Sequence, residues 1–493
     1  MAVTFNAIPG NLRVPLFYAE INAGFSPTQS PARCLLIGGL GTLGVATPNQ
    51  PMLVPSGEDG LFGVGSMLAI MVKRARAAAP FQELWALPIP AGSAVSAVIT
   101  VPFAASFTGI AAGEYAIYVG DQRVSLRFDP ALFTIATFAT ALAAAINSVV
   151  PVTEFVAAAT ATSITLTSTT PGAFYNSAKV QFSLRPGDAY LSAQVTPPAG
   201  VAVTTASTDP SFTLALANLG ADEYDYIALP YSSATSLAAI VPFLDARWGP
   251  MQQLYGSAIT YVDGTVGALQ TLGSTYNSPN LSIYGGYNFS STASAITATL
   301  AAMHAQHLQS APELSRPLQT LALPGVIGPK LIGDRQTIQQ QNTLLYIGIS
   351  TMHLARDGSA SIGRAITTYQ KDAYGSPDQS FLSVNTRAQN VYGVRYMRQY
   401  VQSIHGRSAL VDANPTGIEN FVTADELRGS MLHAYQNLCE LGVFDQFGLF
   451  AAALVVERDL TDPNRVNAYL PFAAVNQLTV FAANVTSYLR LGA

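Results

Sequence analysis

Charge is what this chain has least of. Only 11% of its 493 residues are Asp, Glu, Lys or Arg, where a soluble domain ordinarily carries about 25%. A surface so poor in charge is hard to solvate as a free monomer, so the chain is expected either to cover itself in an assembly or to enter a membrane. Long apolar runs are lacking too. The stretches AITATLAAMHAQHL and GLFAAALVV are too short or too interrupted for a span of about 20 apolar residues, which leaves the assembly. Cysteine is nearly absent. Cys34 and Cys439 sit in apolar contexts and read as buried thiols, in keeping with a reducing compartment. No basic start followed by an apolar run opens the chain, so no signal peptide is expected. The net charge of −5 argues against general nucleic-acid binding. Lysine is scarce as well: 20 of the 24 basic residues are Arg, whose planar, weakly hydrated guanidinium favours interfaces.

The chain is too long for one ordinary core, and its hydrophobic patterning changes along its length. VPLFYAEIN, inside residues 1–31, alternates Leu16, Tyr18 and Glu20 with Phe17, Ala19 and Ile21 between Pro-rich flanks. It reads as a strand with no local partner. CLLIGG, a helix over GSMLAIMVKRARAAA and the strand ELWALPI then form a β-α-β unit. Residues 96–206 are rich in Ala, Ser, Thr and Val. Strands YAIYVG, QRVSLRF, SITLTST and KVQFSL with the helix FATALAAAINSVV suggest an α+β insertion. The α/β rhythm then resumes to about residue 359 and argues for a mostly parallel sheet covered on both faces. From 360 the pattern is again α+β. DELRGSMLHAYQNLCELG puts Leu427, Met431, Tyr435, Leu438 and Leu441 on one helical face.

No motif assembles an active site. Gly39-x-Gly41-x-x-Gly44 has the spacing of a dinucleotide loop, but that loop must open directly into a helix, and here Pro48, Pro51 and Pro55 follow. A wide turn is expected instead. GSMLA at Gly65–Ala69 is superficially like a subtilisin serine loop, yet Ser66 precedes all five histidines, the wrong order for that triad, and reads as a helix N-cap. His304 and His307 could share a metal by spacing. No HExxH or Cys cluster accompanies them, so they read as surface histidines. Asp222, Glu223 and Asp225 read as a solvated turn.

Three segments together resemble a known family. The stretch from CLLIGG through PNQPMLVPSGEDGLFGVGSMLAIMVKRARAAAPFQELWALPI is similar to the opening of the core domain of contractile phage tail sheath proteins. DRQTIQQQNTLLYIGISTMHLARDGSASIGRAITTY resembles their passage into the C-terminal domain. DPNRVNAYLPFAAVNQLTVFAANV resembles their closing segment, most like the Mu-like (myovirus) branch. Gly363 departs from the acidic residue often found there. The insertion at 96–206 carries little of the resemblance.

The resemblance implies a non-enzymatic, self-assembling subunit without cofactor or metal, of mixed α/β and α+β fold. Its parts would be an N-terminal arm (1–31), a central subtilisin-like α/β domain (32–95 and 207–359), an outer insertion (96–206), an inner C-terminal domain (360–475) and a C-terminal arm (476–493). The partners implied are further copies of itself in stacked rings, the tail tube, and baseplate and tail terminator proteins. Its place would be the virion, after assembly in the host cytoplasm. The arms would add strands to a neighbour's C-terminal-domain sheet, through Leu16–Ile21 at one end and Leu478, Val480, Ala482, Val485 and Leu489 at the other. The core before Pro471 is expected to fold without the C-terminal arm, and the insertion to be dispensable. Between Ser361 and Leu410 six basic residues (Arg364, Lys371, Arg387, Arg395, Arg398 and Arg407) face two acidic ones, which suggests a basic surface toward the tube, with Arg387, Arg395 and Arg398 as the candidates. The alternatives are the sheath of a phage-derived bacteriocin or injection system, an outer virion adhesin using the insertion, and a subtilisin-like serine hydrolase.

Overall fold

A computed structural model of the chain describes residues 31–103, 106, 111–149, 154–182, 200–414, 418 and 420–487. The N-terminal strand proposed at Leu16–Ile21, and Leu489, lie outside them.

The chain enters a sheet through β1 (Arg33–Gly39), then passes β2 (Met52–Leu53), α1 (Glu58–Phe62), α2 (Met67–Ala78) and β3 (Glu83–Ile89). β1 and β3 pair in parallel, Cys34 opposite Leu84. This is the β-α-β unit read from the sequence. Between them, the Gly39–Gly44 turn lies flat on the end of α1. A Cβ at Gly44 would stand 2.7 Å from the Phe62 carbonyl carbon, and one at Gly41 3.0 Å from the Phe62 oxygen. The glycines therefore serve close backbone packing, not a phosphate. Ser66 is buried and its hydroxyl accepts from the Ala69 amide at 3.2 Å, capping α2.

The segment that follows folds into two small sheets. β4 (Val98–Pro102), β8 (Ser163–Ser168) and β7 (Phe155–Ala159) form one. β6 (Gln122–Phe128), β5 (Gly113–Val119), β9 (Lys179–Phe182) and β10 (Val201–Ala202) form the other. α3 (Ile135–Asn147) begins with a Thr134–Thr137 capping box and packs Phe138 edge-on to Phe128, ring centres 5.4 Å apart. The two ends of the segment meet, Val98 N donating to Thr205 O at 3.1 Å.

The α/β alternation resumes with α4 (Thr213–Ala217), β11 (Tyr226–Ala228), α5 (Ala234–Trp248), β12 (Ser257–Asp263), α6 (Val266–Thr275), β13 (Leu281–Gly286) and α7 (Ala293–His307). β14 (Ala322–Ile327), α8 (Ile338–Leu345), β15 (Ile349–Leu354) and β16 (Ser359–Arg364) complete it. The strands merge into one nine-stranded sheet of order β14-β16-β15-β13-β12-β11-β1-β3-β2. Its middle, from β15 to β3, is parallel. α7 is apolar all round and buried through its first 13 residues, Ala293 to Ala305, because it packs against both the sheet and α2.

The insertion is clamped to this layer rather than hung from it. Glu154, buried and held at φ +61°, accepts from Thr292 Oγ1 at 3.1 Å and from the Ser294 hydroxyl at the amino end of α7, and from the Tyr175 hydroxyl within the insertion. Arg74 pairs with Asp121 at 2.7 Å, and the Lys330 ammonium lies 3.9 Å from the centre of the Tyr118 ring. Excising 96–206 would strip α2 and α7 of these partners.

The last third comprises α9 (Val384–His405), β17 (Ala409–Leu410), β18 (Phe421–Val422), α10 (Ala424–Glu440), α11 (Phe447–Ala453) and an antiparallel hairpin of β19 (Val455–Arg458) with β20 (Val466–Tyr469). Tyr435 of α10 stacks face to face on Phe450, centres 3.6 Å apart, while Phe472 packs against Phe444 at 4.7 Å.

Candidate assembly surfaces

The C-terminal segment leaves a run of apolar side chains uncovered. After β20, residues 471–475 run back across the helices. Asp445 N donates to Ala473 O at 2.9 Å, Val475 N to Val443 O at 3.1 Å, and the Gln389 amide to Val475 O at 3.1 Å. These bonds tie residues 473–475 to the subunit's own helices. Beyond Val475 a few side-chain tethers hold: Ser383 Oγ donates to Gln477 Oε1 at 3.1 Å, the Gln477 amide to Gln389 Oε1 at 3.4 Å and the Gln319 amide to Leu478 O at 3.0 Å. Leu478, Val480, Phe481 and Val485 are then 70, 73, 84 and 86% exposed, Ala482 is exposed among them, and no strand pairs with them among the described residues. The hairpin β19–β20 pairs with no further strand among the described residues, so each of its strands keeps one open edge.

The basic candidates separate. Arg387 is buried, donates to Gly256 O and to Asn280 Oδ1 (3.2 Å), and lies over the Trp248 ring at 4.6 Å. Burial pushes its pKa down to about 10, which still leaves it charged at neutral pH. Arg395 donates to Glu223 Oε1 and Asp225 Oδ1, both at 2.6 Å. Burial opposes its charge, but Asp225 and Glu223 outweigh burial and its pKa is raised. Neither is an open tube-facing cation; both bind α9 to the central layer. Arg398 is exposed and donates only to the Gln253 side chain among the described contacts. Within the acidic cluster Glu223 and Asp225 are the counter-ions of Arg395 rather than solvated carboxylates, while Asp222 is exposed. Both facts had a trace in the sequence. Arg387 and Arg395 share a helical face with the buried Val384, Ala388 and Val391, where an arginine needs a partner.

The remaining candidates resolve into packing. His304 is buried with its Nε2 2.8 Å from the Tyr284 hydroxyl, and burial with His307 nearby pushes its pKa down to about 3. It is not a surface residue: a helix apolar on every side buries what it carries. His307 faces Glu313 at 3.2 Å instead. Among the described residues no group of three or more His, Cys, Asp or Glu could hold a metal ion, and no helix is long and apolar enough to cross a membrane. Both cysteines are free, Cys34 buried and Cys439 half-buried.

A firmly clamped multidomain body that ends in an uncovered apolar segment defines a subunit made for assembly. Comparison with known proteins gives the kind of assembly. Residues 205–368 match the family model for the phage tail sheath protein central domain. The chain is 30% identical over 498 aligned positions to the Mu-like prophage FluMu tail sheath protein of Haemophilus influenzae, covering 98% of this chain and 99% of that one. Among solved structures, it aligns with the sheath tail protein of Desulfitobacterium hafniense at 14% identity and a TM-score of 0.49, over 93% of this chain and 97% of that one. The sheath tail protein of Listeria innocua aligns at 11% identity and a TM-score of 0.48, over 91% and 93%. The chain belongs to the phage tail sheath proteins, in their Mu-like branch.

Proposed function

We propose that this chain polymerises as stacked rings around a tail tube, and that the sheath shortens on a baseplate signal to drive the tube through the host envelope. The observation that carries this reading is the exposed apolar arm on a chain that is like a tail sheath protein from end to end. In this reading residues 476–493, and with them 1–31, pair with the open edges of a neighbour's β19–β20 hairpin. Strand addition draws its affinity from backbone bonds and asks little of the side chains. Each bond nets about 0.5–1.5 kcal/mol, but a strand makes several and a lattice repeats them. Subunits can then turn as rigid bodies while the arms keep them joined.

The residues from 360 to 475 form the inner layer, with Arg398 as the remaining tube-facing candidate. The central layer, of subtilisin-like shape, lies outside it and the insertion outermost. The role is structural, in a virion tail assembled in the host cytoplasm. Ser66, the one serine with a protease-like setting, is spent on capping α2. A sheath of a phage-derived injection system would use the same physics. Sedimentation velocity on the purified chain tests the reading: fast-sedimenting polymer from the full chain, and a single slow species once residues 479–493 are removed. Equal sedimentation of the two would remove the arm from the mechanism.

A further inference from the structure

Both terminal segments of the described chain are fastened to one helix, α9. On the amino side Ala32 is buried, its amide donating to Gln309 Oε1 at 3.2 Å and its carbonyl accepting from Gln82. The next amide, that of Arg33, donates to Asp225 Oδ2 at 2.8 Å, and Asp225 N donates back to the Arg33 carbonyl at 3.0 Å. The other oxygen of the same carboxylate accepts from Arg395 of α9 at 2.6 Å. A single carboxylate thus joins the root of residues 1–31 to the helix.

On the carboxyl side α9 does the same with an amide. Gln389 is fully buried and donates to the carbonyls of Val475 (3.1 Å) and Val443 (3.2 Å). One turn and a half earlier, Ser383 holds Gln477. Gln389 and Arg395 are six positions apart (395 − 389), which is about 9 Å along a helix rising 1.5 Å per residue. Close by, Arg387 secures α9 to Gly256 and Asn280, the residues that immediately precede β12 and β13.

The geometry points to α9 as a strut: tension between the two terminal segments runs from Arg33 through Asp225 and Arg395, along a short length of α9, and out through Gln389 and Val475. The parallel sheet is spared because the load crosses the chain at the edge where its strands begin. The strut is a property of the single chain. Its biological use rests on the sheath reading, in which the arms link neighbours and a subunit must pass on their pull while its own domains keep their arrangement.

Pulling the full chain in an optical trap by handles at its two termini tests the strut. Arg395→Ala and Gln389→Ala should each raise the rate of the first rupture at fixed force on the order of 100-fold, about 2.8 kcal/mol at 1.4 kcal/mol per decade. Arg74→Ala breaks the ion pair with Asp121, away from the path, and serves as the control. It should lower the thermal midpoint and leave the first rupture unchanged. Arg395→Lys keeps one point charge and should fall between wild type and Arg395→Ala, so it decides the matter if the alanine variant does not fold. First ruptures at the wild-type rate in the Arg395 and Gln389 variants, or a rate raised as much by Arg74→Ala, would overturn the strut. The assay reads isolated chains, so its failure leaves the sheath reading untouched, and a failure to polymerise leaves these rupture rates as they are.

Discussion

Where the subunit's own core stops and the arm begins can be fixed by two truncations. Ending the chain after Leu478 removes residues that, among those described, make no hydrogen bond to the rest of the chain; Val480, Phe481 and Val485 are all largely exposed. The thermal midpoint should then stay within about 1 °C of the unassembled full chain. Ending it after Leu470 is different. It removes Phe472, half-covered between Phe444 and Tyr435, at about 3 kcal/mol, the low end for a buried phenylalanine. It also strips the backbone bonds of Ala473 and Val475 and leaves the buried Gln389 amide short of an acceptor, for about 1 kcal/mol or more. At about 1 °C per kcal/mol for a chain of this length, the loss of about 4 kcal/mol lowers the midpoint by about 4 °C. Circular dichroism melts measure the stability and light scattering the assembly. The longer truncate should be native and unable to polymerise. Equal melting of the two truncates would refute the placement of residues 471–475 in the core, and polymer from the longer one would refute the role of the arm.

Gly393→Ala should destabilise the chain although alanine favours a helix, because the new Cβ would stand 2.4 Å from the Phe444 ring; a rise in the melting midpoint would contradict this. Burial raises the pKa of Glu154, against the hydrogen bonds it accepts from Ser294, Tyr175 and Thr292. With the folded pKa above the unfolded one, the stabilisation is complete below the ordinary carboxylate range and is lost as pH rises through the raised value. Glu154→Gln cannot ionise, so its melting midpoint should fall less than wild type's over that rise, and parallel curves would contradict the assignment. Charge reversal at the exposed Arg398 should weaken co-sedimentation with tail tube in a salt-sensitive way. Unchanged binding at low salt would remove the electrostatic contact.

The sequence was most legible where periodicity alone decides the structure. CLLIGG and ELWALPI are short apolar runs around an amphipathic helix, and they are parallel neighbours in the sheet. The alternation in QRVSLRF and the cap at Ser66 are equally local signals. Less legible was the direction in which charges face. Arg387 and Arg395 counted as surface because nothing adjacent in sequence offers them partners. Their partners, Asn280, Glu223 and Asp225, lie more than 100 residues away, and only the fold brings them together. The glycine turn shows the reverse case. Its spacing suggested a ligand, and the three prolines after it were enough to exclude one. The packing of Phe472 was not legible, because it meets Tyr435 and Phe444 only once the chain has doubled back.

Electron microscopy of the purified full-length chain at high concentration tests the central claim most directly. The account predicts hollow sleeves of uniform diameter built from stacked rings. A field of small separate globules, with no sleeve at any concentration reached, would contradict it.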